Sequence, residues 1–434
     1  MTNPVSSAHG GLTEWFMVLV LKTSGRKPSQ VRILYPPLAS FNSSICYTLG
    51  RMKVTLGRIN VNRILPIILA APIILIIVFF LATQNHFLAA GSDFISYYTG
   101  ASIIRQGKGN LIYDLSTQRQ FFDDIIYPLK GNIANRFISP PFVALLYLPF
   151  SLLNYYFAYK LFFIANLGIF VFFLYLLAKT FSKIGTKYKF LHILPFYFFP
   201  VFVTLFMGQT SFVLAILFIL IYQSLKDNKP ELLGILSSAL LIKPQYIFAI
   251  PFILILVKKK KKFLHWFLTA TLFLFLTSIL IAGSKALLNY LPYLFSTENP
   301  EFGNRAHQMV SFHAGISYLF FNSNLANIYS LGINFSLYIS SLYLFAKRIN
   351  KMQLKTAFVL IIFLTLVFSV HVLGHDLVLL LLPIFIILEK GRLIAPLLLF
   401  ILPALSILGN TLPAIFTLLI ITSLFLYKHK IFEK

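Results

Sequence analysis

The chain reads as a series of apolar runs separated by short polar breaks. The runs cover residues 64–82, 156–178, 192–207, 211–225, 232–242, 246–257, 263–282, 331–346, 356–370, 377–388, 393–408 and 411–426. A helix needs about 20 apolar residues to cross the hydrocarbon core, and only helices and closed barrels satisfy their backbone groups inside lipid. The pattern therefore predicts an all-α polytopic membrane protein of about 12 transmembrane helices. The arms 232–242 and 246–257 are short and Pro244 breaks between them, so a re-entrant hairpin is also open. Two longer polar stretches, 83–138 and 283–329, interrupt the series.

The basic residues orient the series. Arg51, Lys53, Arg58 and Arg63 precede the first run, and five lysines, Lys258 to Lys262, follow the run 246–257. Short loops rich in Lys and Arg face the cytoplasm. Placing the clusters inside leaves both termini cytoplasmic and both long polar stretches outside. The segment 141–153, opened by Ser139-Pro140-Pro141-Phe142, is then a helix lying at or dipping into the outer interface. If it crossed, Lys179, Lys183, Lys187 and Lys189 would end up on the wrong side.

Composition agrees with this picture. The chain is 58% hydrophobic and 11% charged over 434 residues, against about 25% charged residues in a soluble domain. The net charge of +25 is explained by the cytoplasmic loops, and no nucleic-acid partner is expected. Cys46 is the only cysteine, which excludes an internal disulfide and a cysteine-rich metal site. Residues 1–63 form a basic cytoplasmic segment expected to be poorly ordered. The membrane domain spans 64–427 and a short tail covers 428–434. No signal peptide is expected, since the apolar stretch 11–21 is short and lacks a small-residue cleavage site; Met52-Lys53-Val54 offers a second start of translation.

This orientation rests on the lysines alone, yet it gathers the unusual polar residues on the outer side. Asp93 lies in Gly91-Ser92-Asp93-Phe94-Ile95-Ser96-Tyr97-Tyr98-Thr99-Gly100, directly after the first run. It reads either as a general base or as the cap of a helix starting near Ile95. Lys243 precedes Pro244; a lysine at that depth faces a polar cavity, where it binds phosphate, or snorkels to the interface. His371 and His375 are four residues apart, with Asp376 adjacent. They suit phosphate or sugar recognition, a metal pair, or a plain capped turn. Gln209 sits in a very short turn after Gly208, where it can bond sugar hydroxyls or do nothing beyond the turn. Tyr97, Tyr98 and Tyr113 either stack on a sugar or form an interfacial belt. In the second polar stretch Arg305, His307, Gln308 and His313 are further candidates for phosphate contact.

Together these motifs resemble glycosyltransferase family 87 of the GT-C superfamily, which includes polyprenol-phosphate-mannose-dependent alpha-(1→2)-mannosyltransferases. The matching pieces are Asp93 with Tyr98 and Gly100, Gly107 with Tyr113-Asp114, Ser139-Pro140-Pro141-Phe142, Gly208-Gln209, Gly234 leading to Lys243-Pro244, and His371 through Leu377 followed by Pro383. The resemblance implies a GT-C-like fold whose first outer loop carries juxtamembrane helices. It also implies an inverting transfer of a hexose, mannose, from a polyprenyl-phosphate donor to a glycolipid or glycan acceptor. Asp93 would be catalytic. Lys243, Gln209, His371, His375, Asp376, Tyr98 and Arg136 would bind substrate. The expected location is the plasma membrane, with the active site on the outer face and no cofactor or metal. The alternative from another class is a secondary transporter or lipid-linked sugar flippase that uses the same polar residues as a relay; the lack of a clear internal repeat weighs against the transporter.

Overall fold

Among the described residues every regular element is a helix. The computed structural model describes residues 61–83, 86–129, 135–181, 193–296, 309–319, 324–389 and 394–405. Residues 1–60 of the segment expected to be poorly ordered, the run 411–426, the tail, and Arg305, His307 and Gln308 lie outside these residues. The chain divides into two compact units, Met1–Leu75 and Ile76–Lys434. Of the first, only helical backbone from Val61 is described.

The first run forms α1 (Val61–Ala82). The polar stretch after it, expected as a loop, is mostly helical: α2 (His86–Ala90), α3 (Phe94–Arg105) and α4 (Leu115–Ile126). Asp114 starts α4 as an N-cap that accepts the Thr117 N–H at 2.7 Å, satisfying one of the free donors of a helix start. In α3 ten consecutive residues, Phe94 to Ile103, are buried. A helix covered on all sides belongs to a core rather than to a surface loop. Gly100 makes this possible, because a Cβ there would stand 2.5 Å from the Phe137 ring.

The segment 141–153 folds as a 3₁₀ turn (Pro141–Val143), α5 (Ala144–Tyr147) and a second 3₁₀ turn (Phe150–Leu152). None is long enough to cross a bilayer. Next come α6 (Tyr155–Thr180), α7 (Phe199–Met207), α8 (Ser211–Lys226), α9 (Pro230–Ala239) and α10 (Ala249–Leu256). They are followed by α11 (Lys260–Ser296), α12 (Phe312–Leu319), α13 (Asn324–Arg348), α14 (Leu354–Phe368), α15 (Leu381–Leu388) and α16 (Ile394–Leu405).

Among the described residues three stretches are long and apolar enough to cross a membrane: Tyr155–Thr180, Lys260–Leu294 and Ile328–Lys351. The other apolar helices are shorter, such as Pro230–Ile242, Pro244–Leu256 and Gly374–Leu388. Periodicity counts such pieces as spans, but proline and glycine cut them into shorter helices.

The second polar stretch is also more helical than expected. Within α11, Gly283 has the non-helical dihedrals φ 77° and ψ 163°, so one helix ends there and a second helical piece continues to Ser296. Beyond that break Tyr290 and Tyr293 stack against Tyr113, with ring centroids 5.2 and 5.1 Å apart. The two polar stretches therefore pack on each other. α14 lies at the centre of the core, with every residue from Thr356 to Phe368 buried.

Candidate functional site

The polar candidates sit where helices break. The first break is the start of α3. Asp93 occupies the N-cap position with φ −71° and ψ −18°, yet its side chain caps nothing. Its backbone is held from several sides: the Asn135 amide donates to the Gly91 and Ser92 carbonyls, each at 3.1 Å, and the Ser96 hydroxyl donates to the Asp93 carbonyl at 2.8 Å. The carboxylate instead receives the Gln209 Nε2 amide at 2.6 Å on Oδ2.

The second break ends α7. Gly208 is its C-cap in the left-handed region, at φ +66°. A Cβ there would also lie 2.7 Å from the Cβ of Phe94. Glycine is thus required both by the dihedral and by the close approach of α3. The turn delivers Gln209, whose carbonyl accepts the Asn166 amide at 3.1 Å. On the other side of the Gln209 side chain, the Tyr97 hydroxyl donates to Oε1 at 3.1 Å. The Tyr97 ring lies flat on Tyr147, with centroids 4.5 Å apart and planes 5° apart.

The third break follows from Pro244, which drives the preceding residue into the extended region. Lys243 has φ −124° and ψ 102°. The fourth break, residues 369–373, lies between α14 and a 3₁₀ turn, Gly374–Leu380. The Ser369 hydroxyl ties it to the third break by donating to the Gln245 carbonyl at 2.8 Å. The Val310 N–H and the Ser311 hydroxyl, from the second polar stretch, fix it from outside by donating to the Val372 and Val370 carbonyls at 2.7 and 2.8 Å.

Between these breaks lies a buried ion pair, with Lys243 Nζ 2.8 Å from Asp376 Oδ1. The Tyr246 hydroxyl donates to the same oxygen at 3.0 Å, and the Leu373 N–H donates to Oδ2 at 3.1 Å. His375 Nε2 is 3.5 Å from Oδ2. Asp376 is fully buried and both its oxygens are taken, so it serves to hold Lys243. Asp93 differs: it keeps some accessibility, and among the described residues only Oδ2 takes a hydrogen bond. Removal from water pushes its pKa above the usual aspartate value; the Gln209 bond and the charges of Lys243 and His371 oppose that shift, and Asp376 adds to it. A carboxylate raised in this way is a stronger base than an exposed aspartate.

The structure therefore brings together Asp93 and Gln209 on one side and Lys243, His375 and Asp376 on the other, with Lys243 and His371 acting on the charge of Asp93. Thr204 lies between the halves: its hydroxyl donates to the Pro200 carbonyl at 2.7 Å and stands 3.3 Å from the His375 carbonyl, while the Thr204 carbonyl accepts the Gln209 N–H at 3.0 Å. Arg136 is next to Asn135, which braces the Asp93 turn, and its charge reaches Tyr293. Tyr98 is not brought onto the cluster: its hydroxyl donates to the Leu153 carbonyl at 2.6 Å and its ring meets Tyr155 edge-on. Among the described residues no three His, Cys, Asp or Glu side chains are grouped so as to hold a metal ion.

Sequence reasoning did not single out Tyr246, Thr204 or Tyr147, and of the neighbours Tyr97 and Tyr98 it assigned substrate binding to Tyr98. Helical spacing contained the signal for Tyr97, which lies four residues after Asp93 and shares its face, whereas Tyr98 is turned away. Tyr147 and Thr204 carried no local signal.

Apolar helices long enough to cross a bilayer, with polar residues gathered at helix breaks, define a multi-span helical membrane protein. Residues 137–370, more than half of the chain, match glycosyltransferase family 87. The chain belongs to that family and is a membrane glycosyltransferase. The matched region contains Gln209 and Lys243; Asp93, Tyr98, Arg136, His371, His375 and Asp376 lie outside it. No curated protein and no solved structure matches the chain.

Proposed function

We propose that the protein transfers a hexose, mannose, from a polyprenyl-phosphate sugar to the hydroxyl of a glycolipid or glycan acceptor, on the outer face of the plasma membrane and with inversion. In this reading the chain crosses the bilayer about twelve times with both termini inside, and the broken helices line the outer end of a substrate cleft.

Asp93 accepts the proton of the acceptor hydroxyl as its oxygen attacks the anomeric carbon. The new carbon–oxygen bond forms on the face opposite the bond to phosphate, which breaks and leaves the lipid monophosphate. That leaving group is already anionic and needs no proton from the protein. Lys243, held by Asp376, and the histidines of residues 371–375 stabilise its growing charge. Gln209 fixes the base, and positioning of the two substrates supplies much of the remaining acceleration. Tyr98 and Arg136 belong to the same reading as residues near the mouth of the site.

One observation carries the assignment of the base. Asp93 stands where a capping carboxylate would stand, leaves its helix uncapped, and instead turns to Gln209 within reach of the positive charges of Lys243 and His371. The test is transfer by purified protein from polyprenyl-phosphate mannose to candidate acceptors, comparing the wild type with Asp93→Asn. Folded variant without turnover supports the reading; undiminished turnover removes Asp93 as the base.

A further inference from the structure

The contact between Asp93 and Gln209 has a consequence for Tyr97. A glutamine side chain presents an N–H₂ on one side and a carbonyl oxygen on the other, and a half-turn of the amide exchanges them. Facing Asp93, the two orientations have opposite effects. The N–H₂ stabilises an ionised carboxylate; the carbonyl repels it and welcomes only a protonated one. Both ends of the amide bear on its orientation: an ionised Asp93 only accepts and takes Nε2 at 2.6 Å, and the Tyr97 hydroxyl reinforces this by donating to Oε1 at 3.1 Å.

The Tyr97 hydroxyl is well fixed for this task. Its ring is 6% exposed and lies flat on Tyr147. Burial, and then the neighbouring Asp93 charge, push the phenol's pKa up, so it keeps the proton it donates. The backbone of Gln209 is fixed independently, by its own N–H to the Thr204 carbonyl and by the Asn166 amide on its carbonyl. Amide rotation is therefore the freedom that remains, and the phenol removes it.

We propose that Tyr97 is a positioning residue that locks the Gln209 amide with its N–H toward Asp93, and so sets the protonation state of that carboxylate. It acts through Gln209, and its part in catalysis rests on the reading of Asp93 as the base.

The test is Tyr97→Phe, which retains the ring on Tyr147 and deletes only the donor. Two readouts are taken. The first is the infrared carboxyl stretch of Asp93 as a function of pH, assigned by its loss in Asp93→Asn, in purified protein without substrate. The second is the pH profile of transfer. Loss of the lock frees the amide to offer its carbonyl to a protonated Asp93, so the carboxyl titration moves up by about one pH unit, the size expected when a charge-assisted hydrogen bond is lost. The acid limb of transfer moves with it, and activity well above that limb recovers toward the wild-type value. Gln209→Leu, which removes the amide, shifts the titration in the same direction. An unchanged Asp93 titration in Tyr97→Phe, whatever happens to melting temperature, overturns the proposal and leaves Tyr97 a packing residue. Should the titration shift while Asp93→Asn still turns over, the lock stands and the reading of Asp93 as the base falls.

Discussion

Gln209 donates its side-chain amide to the carboxylate of Asp93 at 2.6 Å across 116 residues of sequence. Two features make this contact possible. Gly208 turns the chain in the left-handed region, and its missing Cβ lets Phe94, the first residue of α3, come against the turn. The partner of the proposed base is therefore set by backbone geometry before any substrate arrives.

Asp93→Asn is expected to lower the rate of sugar transfer by about 10²–10⁴-fold, the range for loss of a general base. Asparagine retains an oxygen able to accept the Gln209 amide, so the variant should elute and melt like the wild type. Single-turnover assays alongside thermal denaturation separate lost chemistry from lost fold.

The pH dependence follows from the raised pKa of Asp93. The base works only when ionised, so transfer falls as pH drops through the folded-state value. That limb should lie above 3.8, the ordinary aspartate value. A pH profile of transfer in detergent, with the limb missing in Asp93→Asn, checks the sign. A limb below the ordinary value would contradict the burial seen around the carboxylate.

The Lys243–Asp376 pair predicts a large penalty for single substitutions and a small one for the double. Breaking a buried pair leaves an uncompensated charge and costs about 3–5 kcal/mol. Lys243→Met should therefore destabilise the fold strongly, and Asp376→Leu added to it should recover much of the loss. Chemical denaturation of the three variants measures the coupling. Transfer should stay low in the double variant, because the cation is gone.

Gly208→Ala should both strain the α7–α8 turn and push Phe94 away. A non-glycine residue held at positive φ costs on the order of 1–3 kcal/mol. The variant is expected to melt earlier and to transfer more slowly, since Gln209 leaves its place at Asp93. Gly107→Ala is the control: that residue also has positive φ, but nothing lies within 4 Å of a Cβ built there. It should lose stability with little effect on turnover.

Sidedness is tested by cysteines placed at exposed positions in a Cys46→Ser background. Gln106 and Asn228 are both exposed. A membrane-impermeant maleimide added to intact cells should label Gln106→Cys and should reach Asn228→Cys only after permeabilisation. The reverse result would put Asp93 on the cytoplasmic side and remove an outer-face reaction.

The alternation of apolar runs and lysine clusters already indicated a helical membrane protein, and the motifs around Asp93, Gln209, Lys243 and His371 indicated its family. These features are local in the chain: hydrophobic length, a proline after a lysine, a glycine at a turn. The true extent of the helices was less legible. That a second helical piece follows the break at Gly283 depends on what packs beyond it, here Tyr290 and Tyr293 on Tyr113.

Which carboxylate is saturated by its neighbours and which takes a single hydrogen bond among the described residues was decided by tertiary structure alone. Asp93 and Asp376 are both polar residues at the edge of apolar runs, and nothing adjacent in sequence tells them apart. Packing saturates Asp376 with Lys243, Tyr246 and the Leu373 N–H, and gives Asp93 a single amide from a distant turn. The same holds for Tyr97 over Tyr98, neighbours in sequence that a helical turn aims in different directions. Hydrophobic length is written in consecutive residues, whereas the environment of a charge is made by residues far apart in the chain.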